Sequence, residues 1–79
     1  NSHAQLAEDL QASLEDWEER LGTYLESDWQ TVNQDRAARQ VELHESLLKA
    51  WVKWGRWTDK QVDLVEKLVK NYEARLRAG

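Results

Sequence analysis

Few side chains in this sequence could act in catalysis or bind a metal, and their spacing suits neither role. The chain has two histidines, His3 and His44, and no cysteine. His44-Glu45 begins like the zinc-protease motif, but Leu48 stands where the second histidine must follow. The serines lack a glycine-rich elbow that would present a nucleophile, and no glycine-rich loop could cradle a phosphate. The sequence therefore predicts no enzyme activity, no metal and no cofactor.

Adjacent acidic side chains mark the first part of the chain. Enzymes use paired carboxylates when burial separates their pKa values. Here the pairs fall on the polar side of a helical pattern, so we favour a solvated face. An alternative is an acidic decoy that occupies the basic groove of a partner. The residues concerned are Glu8, Asp9, Glu15, Asp16, Glu18 and Glu19.

A polar layer interrupts the apolar stripe of the second helical segment. It consists of Asn33, Arg36, Gln40 and His44. We consider three roles: a hydrogen-bonded layer that sets the helix register, as one asparagine does in a coiled coil; a water-exposed stretch; and a ligand site. We favour the first two, and we expect Arg36 to form an ion pair with the acidic first helix.

The most unusual stretch of the sequence is a basic turn with three tryptophans, Trp51, Trp54 and Trp57. Lysine and arginine side chains surround them, at positions 49, 53, 56 and 60. We favour a core plug in which cationic stems cover the rings. A second interpretation is a protein-binding hot spot, where Trp and Arg are enriched. The third is nucleic-acid contact, which the acidic pI of about 5.1 disfavours.

Charge is distributed unevenly along the chain. Residues 1–48 contain 3 basic and 11 acidic side chains, whereas residues 49–79 contain 8 basic and 4 acidic ones. We favour an intramolecular explanation, in which the acidic part lies against the basic part. The alternative is two surfaces for two different partners.

The spacing of apolar residues predicts three helices, at about 4–22, 28–54 and 59–77. The first has a narrow apolar stripe, and the other two have broad ones. We expect a break or kink between Gly22 and Asp28, with Gly22 ending the first helix, although the helix could also run through an isolated glycine.

The boundary between the second and third helices is sharper. Gly55 interrupts the apolar pattern, and Thr58 with Gln61 forms a capping box at the start of the third helix. Because the turn is short, we expect the second and third helices to be antiparallel neighbours.

The expected architecture is all-α: a small antiparallel bundle of three helices in a single domain of residues 1–79. The alternative is a hairpin made of one long helix and a shorter one, which would have to oligomerise. No apolar run is long enough to cross a membrane. The lack of cysteine fits a reducing compartment, so a soluble, cytoplasmic protein is expected.

A chain this short buries a limited core, and its broad stripes exceed what the narrow first helix can cover. We therefore predict a non-enzymatic module for protein–protein interaction or self-assembly, with a dimer as the expected state. The alternatives are a nucleic-acid accessory protein that uses residues 49–60, the acidic decoy, and a designed scaffold. The predicted partner-binding residues are Trp51, Lys53, Trp54, Arg56, Trp57, Leu43 and Leu47.

Overall fold

The structure, a computed structural model, describes residues 3–26 and 31–78. It consists of three helices: α1 (His3–Glu26), α2 (Thr31–Trp54) and α3 (Asp59–Ala78). The described ranges contain no strand. The predicted all-α class and the number of helices are therefore confirmed.

The helices run up, down and up. Near one end of the molecule, the Tyr24 carbonyl of α1 accepts a hydrogen bond from Gln34 of α2 at 2.8 Å. Further along, Ser13 of α1 contacts His44 of α2, so these two helices are antiparallel. The alternative of one continuous long helix is excluded, because α1 folds back along α2.

The third helix uses the first one as its principal packing partner. α1 packs against both α2 and α3, whereas α2 and α3 approach each other only weakly. The expectation that the second and third helices are close neighbours is therefore only partly correct. They are joined by a short turn, but their common contact is with α1.

The predicted end of the first helix at residue 22 is wrong. α1 continues through Gly22 to Glu26, and Thr23 Oγ1 donates to the Glu19 carbonyl at 3.2 Å, a bond of a helix interior. An isolated glycine costs a helix only about 1 kcal/mol, which packing against α2 offsets. The rest of the predicted break, up to Asp28, and the predicted start of the second helix lie outside the described residues.

The turn between α2 and α3 has the predicted structure. Gly55 has φ 68°, the left-handed conformation that ends helices. The Thr58 amide donates to Gln61 Oε1 at 2.9 Å, and the Gln61 amide donates to Thr58 Oγ1 at 3.3 Å. These reciprocal bonds form the capping box, so α3 begins where the sequence indicates.

Gly22 lies inside α1 and Gly55 directly follows α2. Together they provide a matched test of backbone conformation. A Cβ at Gly22 or at Gly55 would meet no atom within 4 Å, so only conformational preference distinguishes them. We expect Gly55→Ala to destabilise the fold by about 1–2 kcal/mol, the cost of a left-handed L-residue. Gly22→Ala should stabilise it by about 0.5–1 kcal/mol. Urea unfolding measures both, and changes of the same sign would contradict the assigned conformations.

The hydrophobic core lies at the end of the molecule that carries the α2–α3 turn. Leu10 of α1 and Val65 of α3 are completely buried there. Leu6, Leu43 and Leu48 are partly buried and pack against the same cluster. The core cluster is formed by Ala7, Leu10, Leu47, Trp57, Val65, Leu68 and Val69.

Candidate functional site

Two of the three turn tryptophans, Trp51 and Trp57, pack in or against the hydrophobic core. Trp57 is only 6% exposed, and its Nε1–H donates to the Leu47 carbonyl at 2.8 Å. The Trp51 ring lies 4.7 Å from the Trp57 ring, centroid to centroid. Trp57 follows the end of α2, so its side chain can fold back onto the core. The predicted core plug is present in these two residues.

Trp54 lies on the outside of the molecule. It is the last residue of α2 and 65% exposed. Lys53 Nζ lies 5.1 Å from the centroid of its ring, within the range of a cation–π contact. The neighbouring Val52 is 84% exposed. An exposed aromatic ring and an exposed branched aliphatic side chain therefore share the last turn of α2.

The predicted partner-binding residues are thus divided between surface and core. Lys53, Trp54 and Arg56 are exposed, Trp51 is half-buried, and Leu43 is partly buried against the core. Leu47 and Trp57 are buried within this chain. Lys49 and Val52 complete the exposed group, which we call the turn surface: Lys49, Val52, Lys53, Trp54 and Arg56.

The turn surface carries three cationic side chains, and Lys53 already contacts the Trp54 ring. Within the described ranges, the ion pairs closer than about 4 Å involve Arg20, Arg75 and Arg77. Lys49, Lys53 and Arg56 do not belong to them. The attraction expected between the acidic and basic parts of the chain occurs between Asp16 and Arg75.

Farther along the helices lies a different group of polar side chains, which we call the polar layer of the structure: Ser13, His44, Arg75 and Asp16. Ser13 and His44 are both 0% exposed, and Ser13 Oγ is 2.8 Å from His44 Nε2. His44 Nδ1 is 2.6 Å from the Gln40 carbonyl. A carbonyl only accepts, so Nδ1 carries the proton of the neutral ring. Nε2 then accepts a hydrogen bond from the Ser13 hydroxyl.

Arg75 extends this layer to the third helix. Its terminal nitrogen donates to Ser13 Oγ at 3.3 Å, and its Nε donates to Asp16 at 3.1 Å. Its guanidinium lies 4.6 Å from the Trp17 ring centroid. Asp16 also accepts from Arg20 at 3.0 Å, so one carboxylate serves two cations. The polar layer therefore links all three helices.

The polar residues that the sequence analysis singled out lie in different environments in the structure. His44 and the Gln40 backbone belong to the layer, as the first interpretation predicts, whereas Arg36 is exposed. The expected ion pair of Arg36 with the first helix is wrong: Arg36 belongs to none of the ion pairs within the described residues, and the cation that reaches Asp16 from another helix is Arg75. Asn33 is half-buried and has a polar partner.

Sequence reasoning missed Ser13 and Arg75. A signal for Ser13 existed: it lies three residues after Leu10 and four before Trp17, within the apolar stripe of the first helix. A serine at such a position needs a buried hydrogen-bond partner. Arg75 lies near the C-terminal end of α3, and its sequence position gives no indication of which carboxylate it reaches.

The electrostatics of the layer favour a neutral imidazole. Burial lowers the pKa of His44, the Gln40 carbonyl raises it, and the positive charge of Arg75 lowers it further. The net pKa lies below the ordinary value of 6.5, so His44 is neutral at pH 7.

The Ser13–His44 bond resembles the nucleophile–base pair of hydrolases, but its surroundings differ. Ser13 Oγ is enclosed and also accepts a hydrogen bond from Arg75, so no substrate carbonyl can approach it. Within the described residues, no group of three side chains could hold a metal ion. No helix there has the length and apolarity needed to cross a membrane.

Comparison with known proteins gives no relative. Neither a protein-family model, nor a curated protein, nor a solved structure matches this chain. Function is therefore inferred from the chain's own surfaces and contacts.

Proposed function

We propose that this chain is a small, non-enzymatic helical module that binds another polypeptide through the turn surface. The observation that carries the proposal is the exposure of Trp54. Its two tryptophan neighbours in the sequence are fixed in or against the core, whereas Trp54 presents most of its ring to solvent. Tryptophan and arginine are enriched among residues that dominate binding energy.

Charge indicates what kind of partner fits. The exposed ring and Val52 offer apolar contact, and Lys49, Lys53 and Arg56 surround them with positive charge. A partner segment that combines acidic and apolar side chains would complement both features. A second copy of this chain has such segments, because its first 48 residues carry an excess of acidic groups. Self-association is therefore the first form of binding to test.

Nucleic acid is the competing partner for the same surface. Stacking of bases on aromatic rings usually accompanies a basic groove that follows the phosphate backbone. The turn surface offers one exposed indole, and the chain has a net charge of −4. Both features favour a polypeptide partner.

We expect Trp54→Ala to weaken self-association or partner binding by on the order of 2 kcal/mol, which corresponds to about a 30-fold increase in Kd. Light scattering from micromolar to millimolar protein measures the assembly state, and Lys53→Glu should weaken the same association. Leu76→Ala is the matched control, since it truncates an exposed apolar side chain on α3 and should change nothing.

Two results would count against this function. One is that Trp54→Ala and Lys53→Glu change neither assembly nor the capture of a purified partner. The other is tight binding of a labelled oligonucleotide at low salt that weakens steeply as salt is added, which would support the nucleic-acid alternative.

A further inference from the structure

On α3, the polar layer lies beyond the part that the hydrophobic core anchors. The first half of α3 is anchored by Val65, Leu68 and Val69. Beyond Val69, the inter-helix hydrogen bonds of α3 within the described ranges come from Arg75. Leu76 next to it is 61% exposed. The polar attachment of the C-terminal half of α3 to α1 therefore comes from Arg75, which lies beside the half-buried Tyr72 ring.

The charges around His44 disfavour the protonated imidazolium form of its side chain. From α3, the Arg75 guanidinium faces the layer beside the Tyr72 ring, 5.6 Å from its centroid. From α1, Asp16 supplies a carboxylate, but Arg75 and Arg20 already bind it. From α2 itself, the Gln40 carbonyl accepts a hydrogen bond from Nδ1–H of His44. A protonated His44 would face a cation, with no uncommitted carboxylate in the layer.

Protonation would also reverse a hydrogen bond. The added proton goes to Nε2, the atom that accepts from Ser13 in the neutral layer. The buried Ser13 hydroxyl then loses its acceptor, and its oxygen faces two cationic donors, His44 and Arg75. A buried polar hydrogen without a partner is costly, and so is an unpaired charge in a buried position.

From this geometry, we propose that the Ser13–His44–Arg75 layer is an acid-sensitive latch. When His44 becomes protonated, Arg75 separates from Ser13 and the C-terminal half of α3 leaves α1. The hydrophobic core at the other end keeps the first half of α3 in place. The result is a partly opened molecule in which the detached end of α3 loses its packing and unwinds, while α1, α2 and the first half of α3 stay helical.

The sign of the pH dependence follows from proton linkage. The pKa of His44 is lower in the closed layer than in water, because burial disfavours the charged ring. The open state therefore binds more protons at mildly acidic pH. The latch is fully effective above about pH 6.5, and weakens as the pH falls from there towards the pKa of the closed state. Within that window, each unit by which the pH falls raises the equilibrium constant for opening by up to about tenfold.

Hydrogen exchange of the full chain tests the latch. We expect backbone amides of residues 72–78 to lose protection by up to about tenfold per pH unit below pH 6.5, after correction for intrinsic exchange rates. Amides of residues 62–69 should keep their protection. His44→Gln, a neutral side chain of similar reach, should abolish this pH dependence. His3→Gln, the matched control at the other histidine, should leave it intact.

Three results would overturn the proposal. The first is the same pH-dependent loss of protection in His44→Gln, which would assign it to the carboxylates that both proteins retain. The second is equal loss of protection throughout the chain, which would indicate global unfolding. The third result serves if His44→Gln does not fold: an NMR titration of the wild-type protein in which the pKa of His44 is not below the ordinary value of 6.5 would contradict the latch.

Discussion

Replacing Trp57 with alanine is expected to destabilise the fold by about 3–5 kcal/mol, the usual cost of truncating a buried aromatic residue. The side chain lies in the core cluster, contacts the Trp51 ring at a tilt and donates a hydrogen bond to the Leu47 carbonyl. In a chain of this size that loss approaches the total free energy of unfolding, which is about 5–15 kcal/mol for typical domains. Thermal and urea unfolding followed by far-UV circular dichroism measure the effect.

Trp54→Ala provides the matched control, because it removes the same side chain three residues earlier at an exposed position. Its cost to stability should stay within about 0.5 kcal/mol. Trp57→Phe should fall between the two, since a ring remains but the bond to the Leu47 carbonyl is lost. Equal costs for the alanine variants at 54 and 57 would mean that Trp57 is not the residue that closes the core.

The second large effect should appear in the polar layer at pH 7.5, where His44 is neutral. Ser13→Ala leaves the buried Nε2 of His44 without a donor, and His44→Leu leaves the buried Ser13 hydroxyl without its acceptor. Each single change should cost about 1–3 kcal/mol, the penalty for an unsatisfied buried group. The double variant removes both polar partners, so its cost should be well below the sum, with a coupling energy of about 0.5–3 kcal/mol.

Ser46→Ala is the control for this cycle, because Ser46 is exposed on α2 and its loss should change stability by less than about 0.5 kcal/mol. Unfolding in urea at fixed pH gives all four corners of the cycle. Strict additivity of the two single changes would show that Ser13 and His44 do not share a hydrogen bond in solution.

The turn between α2 and α3 was predictable because its signals are local. Gly55, Thr58 and Gln61 each act through backbone geometry or a bond to a residue three or four positions away. The helix count was predictable for a related reason, since apolar spacing reflects the period of the helix itself. Such features need no knowledge of the tertiary neighbours.

The end of α1 was mispredicted because it depends on tertiary contacts. A glycine that ends a helix and one that a helix passes through have the same local signature, and only about 1 kcal/mol separates the outcomes. At Gly22 the helix continues to Tyr24, whose carbonyl accepts a hydrogen bond from Gln34. No periodicity within α1 reveals that contact.

The candidate surfaces were predictable only as a group of residues. The spacing marked the three tryptophans but not which ring faces water, because Trp57 lies beyond the end of α2. In the polar layer, His44 could be identified from the sequence because it interrupts the apolar stripe of the second helix. Its link to Arg75 through Ser13 joins three helices and could not. Pairings of this kind depend on how whole helices are placed, which one helix's sequence pattern does not determine.

The central position of α1 bears on the order in which the molecule assembles. Ser13 is 31 residues from His44 and 62 residues from Arg75. Starting from an unfolded chain, doubling the loop raises its closure cost by about 0.6 kcal/mol. Once α1 and α2 have paired, however, α3 needs only the short turn after Trp54 to reach its place. The pathway of lowest entropic cost therefore forms the α1–α2 hairpin first and docks α3 last, so the high contact order of the α1–α3 interface need not slow folding.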